Sequence, residues 1–259
     1  MSESDVNADD HLLRLFRVIV QESNLRKDQN ATAHALLMLL VRVGNSWRSI
    51  YTLQNNTDDS EGYGVDAGTL LRAMYDAYLQ AALICHDPSE SEALAQDYID
   101  FQHIERFKLK ESIMRHETSL TQHLQSSPNR DEGEKRLNNE YDRVKARFLN
   151  ERRKKDGTIK HGPGTRNTWY RGTLAEVADR VGNSDEYDSV LRHFHGCVHS
   201  SPMAVQCGPL VSSDHLLHWA STIVGRIANF CVKHNHIVLD NVDQQILDVL
   251  SKPYFGPDH

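Results

Sequence analysis

Three long stretches of this chain repeat their apolar residues at helical spacing, and that period decides which folds are open to it. From Ala31 to about Leu53, behind Asn30 as an N-cap, Leu36, Leu37, Leu40, Val43, Trp47, Ile50 and Tyr51 return every three or four residues. A second run, DAGTLLRAMYDAYLQAALICHDP, starts at Asp66 and stops at Pro88. Leu71, Met74, Tyr78, Ala81, Ala82 and Cys85 are its buried stripe. The third, SSDHLLHWASTIVGRIANFCVKHNHIVL, is strongly apolar and capped at Ser213 or Asp214. A first amphipathic helix opens behind Asp9 or Asp10, and NVDQQILDVLSKP forms a last short one. No stretch alternates apolar and polar residues with period two, so the expectation is an all-α bundle of about eight helices.

Ser89 to about His116 and Asp131 to Arg153 read as two further helices with charged outer faces; the second carries Leu137, Tyr141, Val144 and Phe148 on one stripe. Joined by TSLTQHLQSSPNR, they predict a long charged helical hairpin over residues 89–155, an excursion from a single domain spanning residues 1–259. Residues 150–168 then read as a basic, glycine-containing connection with Arg152, Arg153, Lys154, Lys155, Lys160 and Arg166. Such a stretch is either a solvated link or a surface for phosphates.

The formal net charge of −7 argues against a protein whose whole surface is a nucleic-acid platform. The four cysteines, Cys85, Cys197, Cys207 and Cys231, are widely spaced with no CxxC pair, which reads as buried reduced thiols. MSESDVNADDHLLRLF lacks the basic and then apolar order of a secretory signal, and about 18 consecutive apolar residues occur nowhere. A cytoplasmic protein without a membrane partner is the expectation.

The chemistry concentrates in LRHFHGCVHSS, Leu191 to Ser201. On a helix from Asp185 to His199, Val190, Leu191, Phe194 and Val198 form the apolar side, and Arg192, His195 and His199 align along a neighbouring stripe. Arg192 and His199 are two turns apart, about 10.5 Å along the axis. His195 and His199 have the spacing of the helical half of a zinc site, but Gly196 stands where the usual Glu would be and no second ligand motif appears, so no metal or cofactor is expected.

Metal-independent RNA cleavage needs a base for the 2′-hydroxyl proton and a cation for the phosphate. His199 and Arg192 are of those types, with Ser200 or Ser201 able to hydrogen-bond the phosphate. The same stripe is equally what a polar helix seam would contain. Arg72 and Asp76, one turn apart in the second apolar run, read either as a structural ion pair or as a second wall of the same site.

WYRGTLAEVADRVGNSDEYDSVLRHFHGCVHSSP resembles the C-terminal signature of a bacterial family of uncharacterised helical proteins. Its elements here are Trp169, Gly172, Val181, Gly182, Val198, His199 and Ser201. LLRAMYDAYL is similar to the same family's Arg-x-x-x-acid helix at Arg72 and Asp76. The Arg192 and His199 spacing also resembles the ribonuclease motif of the HEPN superfamily (higher eukaryotes and prokaryotes nucleotide-binding). The polar residue that often follows that arginine is His193 here, on another face.

That resemblance implies an all-helical homodimer acting on RNA, in defence or stress. Only Arg192 and His199 match its motif: His199 would be the base and Arg192 the phosphate clamp, while His195, Ser200, Arg72 and Asp76 are candidates from the residues themselves to complete the site. The basic segment's Arg152, Arg153, Lys154 and Lys155, with Ser201, would on the reading of the residues themselves hold substrate. The alternative is a non-catalytic helical module binding a protein or small ligand, with Arg72, Asp76 and His199 as a packing network.

Overall fold

A computed structural model of the chain describes residues 3–55, 64–116, 119–126, 128–153, 159–198 and 213–252. The chain is all-α. Its helices are α1 (Glu3–Asn24), α2 (Ala31–Asn55), α3 (Gly64–His86), α4 (Ser91–Met114), α5 (Ser119–Gln125), α6 (Arg130–Val144), α7 (Leu174–Arg180), α8 (Ser184–Val198), α9 (Ser213–Asn235) and α10 (Asn241–Leu250). A 3-10 turn, Lys145–Phe148, leads into two short strands, β1 (Leu149–Arg153) and β2 (Ile159–Thr165). The chain divides into two compact units, Met1–Ala95 with Gly172–His259, and Gln96–Arg171; α4 begins in the first and continues in the second.

In the first unit the three apolar runs become α2, α3 and α9, which pack on one another, with α1 against α2 and α9 and with α8 against α3. Leu36, Leu40, Val43 and Ile50 of α2, Leu71 and Leu79 of α3, and Ile227 of α9 are fully buried. Trp47 Nε1 donates to Ser221 Oγ at 2.8 Å, tying α2 to α9. Asn30 Oδ1 accepts from the Ala33 amide at 2.7 Å, as its N-cap position predicts. Glu92 adds a second cap, accepting from the Ala31 and Thr32 amides at 2.7 and 3.1 Å. Helix α1 starts at Glu3 rather than at Asp9 or Asp10, because the acidic residues before Asp9 suit the positive end of a helix as well as Asp9 does.

The second unit departs most from the helical reading. The helix expected over Asp131–Arg153 ends at Val144, a short helix α5 occupies part of the expected connection, and the basic segment contains paired strands. Val144 and Phe148 are both fully buried, a spacing that a helix and a 3-10 turn satisfy alike. The chain turns out of the helix because β2 supplies backbone partners: the Arg166 amide donates to Phe148 O at 2.8 Å, and Glu151, Arg152 and Arg153 lie opposite His161, Lys160 and Ile159. Lys108 Nζ pins the end of β2 to α4, donating to Thr165 O, Arg166 O and Asn167 Oδ1 at 2.9, 2.6 and 3.0 Å.

Asp100, only 3% exposed, ties α4 to α6 and the 3-10 turn. It accepts from Gln96 Nε2 at 2.9 Å, from Arg143 Nη2 at 3.1 Å and from Arg147 Nη2. Burial pushes its pKa up, but these three donors outweigh burial and hold the carboxyl below its usual range.

Two helical glycines should respond oppositely to one substitution. A Cβ on Gly225 would lie 2.5 Å from Leu250 Cβ and 2.9 Å from its carbonyl oxygen, whereas Gly133 has nothing within 4 Å. Gly133→Ala should stabilise by about 0.5–1 kcal/mol, and Gly225→Ala should cost about 1–3 kcal/mol; urea melts reporting a gain at both positions would contradict the α9–α10 packing. For Asp100, the depressed pKa means its ionic contribution is present above the unfolded value of about 3.9 and fades as pH falls through the folded one. The destabilisation of Asp100→Asn should therefore shrink on acidification below about pH 4; a penalty independent of pH would show that the carboxylate charge contributes nothing.

Candidate functional site

Helix α8 is held from both sides by sequence-local signals and by packing. Thr173 caps α7 in a box with Glu176, donor and acceptor exchanged between side chains and backbone, and Gly182 stops it with φ 74°, the left-handed turn that glycine adopts freely. Two residues later α8 starts, with Asp185 and Glu186 in its first turn where the helix dipole favours acids.

Near its other end Phe194 and Cys197, both buried, meet α3 at Gly68. A Cβ there would lie 2.9 Å from the Phe194 ring and 3.1 Å from Cys197 Sγ, so the missing side chain of Gly68 lets the helices close. Phe194 also packs edge-on against Trp219 of α9 at 5.5 Å.

The first turn of α8 is fixed by charge. Arg226 of α9, 5% exposed, donates through Nη1 to both oxygens of Glu186, at 2.9 and 2.7 Å, and its guanidinium lies 5.0 Å over the Tyr78 ring. Burial works against the Arg226 charge, but the hydrogen bonds it donates to Glu186 more than offset burial and keep the group protonated. Tyr75, fully buried on α3, lies within the field of Glu186; burial first and that carboxylate second push its phenol far above the usual range.

The residues singled out from sequence fall as follows. Arg72 and Asp76 form an i, i+4 ion pair within α3, at the flank of the face that carries Gly68, with Arg72 mostly buried and Asp76 about one-third exposed. Arg192 and His195 lie in α8. At about 100° per residue, their positions fall about 160° and 100° around the helix from Phe194, away from the side that meets Gly68. Arg152 and Arg153 lie in β1. His199, Ser200, Ser201, Lys154 and Lys155 lie outside the described residues.

Sequence reasoning passed over Glu186 and Arg226. The available signal was an arginine inside the apolar run TIVGRIANF, since a charge in such a place needs a partner from elsewhere in the chain. Among the described residues no group of three His, Cys, Asp or Glu is arranged to hold a metal ion, and no helix is long and apolar enough to cross a membrane.

Because Arg226 and Glu186 are both nearly buried, removing one leaves the other uncompensated. Arg226→Met and Glu186→Leu should each cost about 3–5 kcal/mol, with the Arg226→Met/Glu186→Leu double variant costing clearly less than the sum. Denaturant melts of the cycle giving additive losses would show the two residues uncoupled.

Residues 33–208, more than half of the chain, match the profile described as a family of unknown function (DUF5677). No curated protein and no solved structure matches the chain. The matched region runs from α2 through the second unit and past α8. The chain belongs to the family of unknown function DUF5677.

Proposed function

We propose that this protein is a HEPN-like endoribonuclease that needs no metal and acts in bacterial defence or stress. His199 takes the proton of a 2′-hydroxyl. The freed oxygen attacks the adjacent phosphorus, the bond to the 5′ oxygen breaks, and His195 returns a proton to that departing oxygen. The products are a 2′,3′-cyclic phosphate and a 5′-hydroxyl end. Arg192 offsets the charge that builds on the non-bridging oxygens, with Ser200 and Ser201 donating to them. A homodimer brings two such stripes together across a cleft, and Arg152, Arg153, Lys154 and Lys155 contribute phosphate contacts to RNA binding.

One observation carries this reading. Helix α8 is anchored by Phe194, Cys197 and Glu186, which sets its rotation, and at about 100° per residue the positions of Arg192 and His195 share the side away from the Gly68 contact. Arg72 and Asp76, already paired with each other, act on α8 through α3 packing rather than on the phosphate.

A non-catalytic binding module is the second reading, favoured by the satisfied Glu186, Arg226 and Tyr78 cluster, which is what a helix seam needs for unique packing.

The deciding experiment is incubation of purified protein with a pool of transfer RNA and single-stranded RNA in EDTA, beside Arg192→Ala and His199→Ala. Cleavage leaving 2′,3′-cyclic phosphate ends should fall about 100-fold or more in either variant with the melting temperature kept. No cleavage by folded wild-type protein, or a sharp loss of stability in His199→Ala without change in activity, transfers the assignment to the binding module.

A further inference from the structure

The net charge of −7 conceals a division between the two units. Residues 96–171 hold 17 Lys and Arg against 12 Asp and Glu, a net charge of +5, while the rest of the chain holds 12 against 24, a net charge of −12. Within the basic unit much of the acid is taken up locally: Asp97 and Asp100 by Arg147, Glu140 by Arg143, Asp142 by Lys145, Glu134 by Lys110 and Glu151 by Arg171.

The strand register adds a sharper feature. Arg152 of β1 lies directly opposite Lys160 of β2, while Glu151 lies opposite His161 and Arg153 opposite Ile159. Successive strand positions alternate between the two faces of a hairpin. Glu151, the one carboxylate in either strand, therefore falls on the face away from the Arg152 and Lys160 rung, and its oxygen is already 3.2 Å from Arg171 Nη2. Two like charges directly opposite each other destabilise a hairpin. Like-charged residues at directly opposite register positions are an arrangement that a shared anion would favour.

We propose that the Arg152 and Lys160 rung of the β1–β2 hairpin is a two-point clamp for the phosphate backbone of single-stranded RNA. Its ligand rests on the RNA reading above, but its binding does not depend on the chemistry at α8. One cation from each strand takes successive phosphates, and the bound anion offsets the repulsion between like charges at opposite positions. The clamp reads backbone and not bases, so binding is indifferent to sequence and steeply dependent on salt.

The test uses the full-length protein and a fluorescein-labelled 2′-O-methyl oligouridylate, which lacks the 2′-hydroxyl proton and so cannot be cut. Anisotropy across a salt series gives affinity and its salt slope. Arg152→Ala/Lys160→Ala should lower the slope by about 1.4, from about 0.7 per phosphate contact, and weaken binding about tenfold at about 0.1 M salt. Arg152→Glu puts opposite charges on the rung, so it should raise the melting temperature while weakening binding about tenfold or more at about 0.1 M salt. A purely structural role for Arg152 would not move the two readouts in opposite directions.

Unchanged affinity and slope in the double variant overturn the clamp, as does wild-type protein that binds phosphatidylserine vesicles and not the oligonucleotide. If natural RNA is never cut yet the rung variants still lose the oligonucleotide, the nuclease reading fails and the clamp stands.

Discussion

Arg226 is the group around which the histidine helix is arranged. Its guanidinium is 5% exposed in a helix whose neighbouring Val224, Ile227 and Ala228 are buried, a place where an unpaired charge costs several kcal/mol. The partner has to come from another element, and Glu186 comes from the first turn of α8 with both oxygens. Near the other end, Phe194 and Cys197 close on Gly68. Two attachments about two turns apart fix both the position of α8 and its rotation about its own axis. The side to which Arg192 and His195 belong is thus set by residues with no chemical part in the proposed reaction.

How much of this could be read beforehand follows from the range of each interaction. The α2, α3 and α9 cores were legible because burial imposes a period that apolar side chains record locally. Asn30 and Gly182 were legible because capping and left-handed turns select residue types within a few positions. The histidine helix, expected over Asp185–His199, spans Ser184–Val198.

The strands were not legible. LNERR and IKHGPGT carry few residues that favour strands, and their pairing is decided by backbone partners rather than by pattern. Tyr141, Val144 and Phe148 kept helical spacing into a 3-10 turn, which carried the helical reading past its true end. The Glu186–Arg226 pair joins residues 40 positions apart, and no local rule connects them.

Two arginines in apolar helices show why such residues must be judged by partner rather than by setting. Arg72 has Asp76 one turn along the same helix, so its own helix supplies an ionic partner. Arg226 has no acid at three or four residues on either side, where the chain reads Thr222, Ile223, Phe230 and Asn229, so it requires a tertiary contact. The first kind of arginine has an ionic partner that moves with its own helix. The second ties two helices together and carries a constraint on every residue of the helix it holds. A charged residue in an apolar run is therefore informative about tertiary structure in proportion to how poorly its own helix can serve it, and by that measure Arg226, not Arg72, is the residue in the core that bears on the geometry of the candidate site.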